Sequence, residues 1–151
     1  MGLRLPRFLA FFGGIVAVCG ACGAPPKPCT ECPDIAGSYQ LSAQGIEAGG
    51  TGNGCQYVDY RGAETVISLV QSGSSVALTG YYDTQGTLYD NMQIAFDPVT
   101  YERSGLGLIS LSFGGTVTGQ PGAWRIDGAF TFVLTGEESC SVTSPVVATQ
   151  L

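Results

Sequence analysis

Trp124-Arg125-Ile126-Asp127-Gly128-Ala129-Phe130-Thr131-Phe132-Val133-Leu134-Thr135 is the stretch whose pattern decides the fold. Successive side chains of a strand point to opposite faces, so Trp124, Ile126, Gly128, Phe130, Phe132 and Leu134 share one face, while Arg125, Asp127, Ala129, Thr131, Val133 and Thr135 share the other. The first face is apolar and the second largely polar. A period of two over twelve residues specifies a half-buried strand, not a helix.

Working outward, the same rhythm recurs between Gly-, Asp- or Ser-containing breaks. It predicts strands over Ala36 to Ala43, Glu64 to Gln71, Ser75 to Tyr82, Thr87 to Phe96, Leu106 to Phe113, Thr116 to Thr118 and Cys140 to Gln150. No stretch after residue 34 has helical periodicity. Gln71-Ser72-Gly73-Ser74 reads as a hairpin turn, Asp97-Pro98 as the start of a turn, and Gln120-Pro121-Gly122 as a type II turn. Short connections place consecutive strands side by side and antiparallel. The fold class is therefore all-β, with about eight antiparallel strands closing into an up-and-down barrel; a two-sheet β-sandwich is the alternative.

The first 33 residues carry an address. Arg4 and Arg7 precede an apolar run from Phe8 to Val18, followed by Cys19-Gly20-Ala21-Cys22-Gly23-Ala24. A basic start, a short apolar core and small residues make residues 1–21 a signal peptide, and the run is too short to span a ~30 Å hydrocarbon core. Gly20-Ala21-Cys22 resembles the lipobox of bacterial lipoproteins, in which the Cys thiol accepts a diacylglyceryl group and becomes the new N-terminus. The resemblance implies lipidation at Cys22; Cys19 is the alternative acceptor, and cleavage near Ala24 without lipid is the other outcome. Gly after the modified Cys implies the outer membrane, with a periplasmic or secreted protein as the alternative. Residues 22–33, with Pro25, Pro26, Pro28 and Pro33, form an extended tether to a domain over residues 34–151.

Asp34-Ile35-Ala36-Gly37-Ser38-Tyr39 resembles the Gly-x-Trp opening of lipocalin-like and avidin-like barrels, with Tyr39 at the aromatic position, and Ile67-Ser68-Leu69-Val70-Gln71-Ser72-Gly73 resembles their second strand and turn. What the resemblance implies is a small barrel whose lumen is filled or holds one small apolar ligand. Tyr39, Phe96, Phe113, Trp124, Phe130 and Phe132 are the candidate lumen residues. Asp90 joins them if Thr87 to Phe96 is one uninterrupted strand; the alternative is that Asp90-Asn91 breaks it. Gly37, Gly80 and Gly128, on inward positions, leave room at a mouth.

With Cys22 reserved for lipid, Cys29, Cys32, Cys55 and Cys140 remain, an even number in an exported chain. In a closed barrel the last strand pairs with the first, which brings Cys140 to the end where the first strand finishes and Cys55 follows. Cys29 and Cys32 precede the first strand, at the opposite end. A disulfide tolerates about 7 Å between Cα atoms, and a strand of eight residues spans roughly 26 Å. The predicted pairs are Cys55 with Cys140 and Cys29 with Cys32.

The chemistry that composition excludes is broad. The chain has no His, which removes the usual neutral-pH base, Ser-His and Cys-His nucleophilic pairs and His-ligated zinc. Twelve acidic residues against six basic ones, with Lys27 the single lysine, argue against a nucleic-acid partner. Cys29-Thr30-Glu31-Cys32 runs into Pro33, not the helix a thioredoxin-like site requires, and Asp83 to Asp90 lacks calcium-loop spacing. No cofactor, metal or catalytic residue is expected, and the chain is read as not an enzyme. The segment Gln44 to Gly54, with five glycines, is a long first loop. Three functions remain in view: a lipid-anchored envelope barrel with a non-catalytic binding or structural role; a carrier of a small apolar ligand; and an envelope inhibitor of a protease or lysozyme that inserts the first loop or N-terminal segment into an enzyme cleft. The expected partners are a membrane, through the lipid, and a small apolar ligand or a protein.

Overall fold

The computed structural model describes residues 24–44, 50–57 and 63–151. Signal peptide, Cys22 and Cys19 lie outside the described residues, as do residues 45–49 of the first loop.

Nine antiparallel strands follow one another: β1 (Gly37–Ala43), β2 (Ala63–Ser72), β3 (Ser75–Thr79), β4 (Thr84–Leu88), β5 (Gln93–Phe96), β6 (Val99–Arg103), β7 (Gly107–Thr118), β8 (Arg125–Thr135) and β9 (Cys140–Gln150), with a short 3-10 helix at Asn53–Tyr57. The order β5-β4-β3-β2-β1-β9-β8-β7 is closed by pairing of β5 with β7, so eight strands form a barrel and β6 is an extra strand on β7. Up-and-down closure is the fold that the alternation around Phe130 predicts, and the sandwich is excluded.

Two strand readings change. Thr87 to Phe96 is not one strand but the hairpin of β4 and β5, because Asp90-Asn91-Met92 forms a three-residue turn: Met92 N–H donates to the Tyr89 carbonyl (3.0 Å) and Tyr89 N–H to that of Gln93 (2.8 Å). The Asn91 side chain accepts the Gln93 N–H (3.1 Å), a local bond that a continued strand does not offer. Met92 takes the left-handed conformation (φ 62°) that such turns place last, usually on Gly. Conversely, Leu106 to Phe113 and Thr116 to Thr118 fuse into the single long β7.

Asp97-Pro98 is not a hairpin turn. It is a break between β5 and β6, both of which lie along the same side of β7: Ala95 pairs with Gly114 and Val99 with Leu111. Proline has no N–H for the ladder, so the sheet is interrupted there. Beyond that point β4 no longer accompanies the strand, and β6 continues alone.

Inward positions are apolar, with Ser144 on β9 the polar exception. Tyr39, Ile67, Leu69, Val76, Leu78, Leu88, Ile94, Phe113, Ile126 and Phe130 are buried, and each such side chain contributes about 1.5–3 kcal/mol. Phe96 and Phe113 stack with centroids 5.4 Å apart, and Gly86 makes room for them, since a Cβ there would lie 2.6 Å from the Phe96 ring. Gly128 gives no space to a mouth: its missing Cβ lets β7 approach, because a methyl would sit 2.2 Å from the Gly114 carbonyl oxygen. Gly80 stands outside the wall in the β3–β4 connection with φ 107°.

Candidate functional site

Antiparallel register sorts every connection to one of two poles. At the first, the N-terminal segment crosses the end of the barrel. Cys29 N–H donates to the Leu88 carbonyl (3.0 Å), and Asp90 N–H to that of Lys27 (2.9 Å). Ile35 is completely buried beneath the segment. Four side chains pin it. The Gln71 amide accepts the Ile35 N–H (2.8 Å) and donates to the carbonyls of Pro33 (3.0 Å) and Gly73 (2.9 Å). Trp124 Nε1–H donates to the Asp34 carbonyl (2.8 Å), the Tyr39 hydroxyl to that of Ile35 (2.6 Å), and the Gln150 amide to that of Ala36 (3.1 Å). Burial, and secondarily the charge of Asp34, pushes the Tyr39 phenol up to about 12. This pole is closed, and among the described residues none of its buried side-chain nitrogens or oxygens lacks a partner.

Sequence reasoning missed Gln71 and Gln150. A glutamine at a strand end looks like ordinary surface polarity, and no local pattern distinguishes an amide that donates and accepts across 38 or 114 positions.

At the opposite pole lie the 3-10 helix and the β3–β4, β6–β7 and β8–β9 connections. Cys55 and Cys140 stand at disulfide distance there, with Cα atoms 4.8 Å apart, and Cys29 and Cys32 do so at the first pole, at 5.3 Å. Both pairs are the predicted ones. The described part of the first loop is pressed onto β9: Thr51 and Ser141 exchange N–H to carbonyl bonds of 2.9 Å, and Gly54 N–H donates to the Ser139 carbonyl (2.8 Å). Gly52, at φ 120°, admits this approach, since a Cβ would lie 2.2 Å from the Ser139 oxygen. Gly50, Gly52 and Gly54 thus serve close contact.

Tyr81 and Tyr82 fold over the mouth against Phe130, with ring centroids 5.9 and 6.0 Å from it. Beneath them remains a cavity of about 10 Å³ lined by Leu41, Ile67, Leu78, Phe113, Phe130 and Val146, roughly the space of one water. The lumen is thus filled. Of the candidate lumen residues, Tyr39, Phe96, Phe113, Trp124, Phe130 and Phe132 are all buried and make up the filling. Asp90 is not among them: it is exposed in the β4–β5 turn, where its carboxylate accepts the Lys27 N–H (3.3 Å), because the turn removes it from the strand face.

The mouth holds two polar misfits. The Tyr82 hydroxyl and the Ser144 Oγ are buried with no hydrogen-bonding partner among the described residues. Ser144 is wholly inaccessible, on an inward position of β9 opposite Phe130. Burial, with Tyr81 adding to it, pushes the Tyr82 phenol well above its ordinary value. Among the described residues no group of three or more Cys, Asp or Glu is placed to hold a metal, and no helix is long and apolar enough to cross a membrane. No family model, curated protein or solved structure matches the chain.

Proposed function

We propose that the protein is exported, anchored in the cell envelope by a lipid on Cys22, and serves there in a non-catalytic binding or structural role. Docking of the tether on the closed pole is the observation that supports this reading. Lys27 is already held there, and the five residues back to Cys22 reach at most about 17 Å when extended. A lipid on Cys22 therefore sets the closed pole against the bilayer and turns the opposite pole outward. Full-length protein expressed with radiolabelled palmitate, followed by detergent-phase partition, tests the anchor. Label that is lost in Cys22→Ala is the expected result; label lost only in Cys19→Ala moves the anchor to Cys19, and an unlabelled wild type overturns it.

A second reading, a carrier of a small apolar ligand, is favoured by the two orphaned hydroxyls. A buried hydroxyl without a partner costs about 1–3 kcal/mol, and a ligand that displaces the Tyr81-Tyr82 cover and accepts from Tyr82 and Ser144 removes that cost. Native followed by denaturing mass spectrometry separates the readings: a removable mass surplus identifies a carrier, and a bare polypeptide mass identifies a filled barrel.

A further inference from the structure

Among the described residues each wall strand has partners on both sides, but β6 is paired with β7 alone. One edge of Val99-Thr100-Tyr101-Glu102-Arg103 thus leaves main-chain N–H and C=O groups without strand partners. Thr100 to Arg103 are exposed, Tyr101 at 46%, and Leu108 on the neighbouring strand is 48% exposed. Protein edges are commonly blunted by proline, bulges, lysine or a covering loop. Within β6 there is no proline and no lysine, and its Thr and Tyr suit a paired strand.

We propose that the free edge of β6 accepts an extended, cationic segment of another protein as an added strand. The reading gives the binding role proposed above a partner class, yet it rests on nothing in the export or lipid argument.

Charge decides the occupant. Glu102, Glu137 and Glu138 stand together at this end of the edge, against Arg103, and Asp97 precedes the strand by two residues. A second copy meeting edge to edge would bring two such acidic poles together, and like charges across an interface are costly. A strand that presents Lys or Arg at alternate positions meets opposite charge instead, while its main chain supplies the ladder bonds. Beside the edge, a cleft between the β6–β7 and β8–β9 turns is lined by Glu102, Arg103, Leu106, Glu137 and Glu138. Within that group the Glu138 carboxylate has a buried oxygen with no hydrogen-bonding partner among the described residues, an acceptor placed for an incoming donor.

The test uses the full-length protein in detergent and two probes, the peptides (Thr-Lys)4 and (Thr-Glu)4, with amide hydrogen exchange read residue by residue. With (Thr-Lys)4 at millimolar concentration, exchange of outward amides in residues 99–103 should slow at least tenfold, and (Thr-Glu)4 should leave them unchanged. The double variant Glu102→Lys, Glu137→Lys should reverse that preference, and the same exchange data report whether it is folded. Protection confined to other strands, or none with either peptide, overturns the proposal. So does protection of β6 that grows with protein concentration alone, which would identify a second copy as the occupant. None of these readouts senses the lipid, so their failure and that of the palmitate experiment are distinguishable.

Discussion

The two poles of one barrel solve opposite problems with the same residue types. At the closed pole a buried tyrosine, a tryptophan and two glutamines each find a main-chain partner, and the end is shut by the chain's own N-terminal segment. At the loop pole a tyrosine and a serine are buried without partners, a strand edge is open and a glycine-rich segment is fastened down by Cys55 and Cys140. The difference separates interactions that only hold the fold from groups that have stability to give up. A site that must change on binding is drawn from the second kind.

The largest expected effect attacks the fastening. Replacing Cys55 and Cys140 together by Ser opens a loop of 85 residue separation, for which chain entropy predicts a loss of about 4–5 kcal/mol; the same change at Cys29 and Cys32, separated by 3, should cost about 2 kcal/mol. Urea unfolding under oxidising conditions measures both, and equal losses would mean that the two poles do not differ in this way. Next, Gln71→Ala removes two bonds to the N-terminal segment and one to the β2–β3 turn and should cost about 2 kcal/mol, with faster proteolysis between Lys27 and Ala36.

A single chemical change then tests the contrast directly. Tyr39→Phe strands the Ile35 carbonyl and should destabilise by about 1 kcal/mol, whereas Tyr82→Phe deletes an unpartnered hydroxyl and should stabilise by about 1 kcal/mol, as should Ser144→Ala. Thermal melts of the three variants side by side check the signs; a destabilised Tyr82→Phe would show that its hydroxyl has a partner in solution. Alkali probes the closed pole by itself. Tyr39 is raised from 10.0 to about 12, so its contribution is intact below pH 10 and is lost as pH climbs through 12. Stability measured from pH 9.5 to 12 should fall less steeply in Tyr39→Phe than in the wild type.

How much of this was legible follows from the range over which each signal acts. Alternation is local, and it located β1, β8 and β9 nearly to the residue and placed Phe130 and Phe132 inside. Disulfide pairing was legible because closure of the ring fixes which strand ends meet, a constraint that needs topology and no detail. The break at Asp90-Asn91 was legible as the alternative to one long strand, but the apolar rhythm runs on through Asp90 and the turn ends in Met92 where Gly usually announces a left-handed residue, so the pattern alone did not decide. β6 was hidden by the Pro98 that separates it from β5. The clamps of Gln71 and Gln150 and the isolation of Ser144 depend on atoms brought together from distant positions, and nothing near them in the chain records it.

One feature of the ring bears on time. Its wall closes by pairing the first strand with the last, Tyr39 opposite Gln150 and Ala43 opposite Val146. A chain emerging N-terminus first therefore has no finished wall until β9 is present, and the contacts most distant in sequence are the ones that complete the ring. Cys29 and Cys32 meet as soon as both are out. Cys55 must wait for Cys140, and throughout that interval a premature oxidant finds it beside the wrong neighbours.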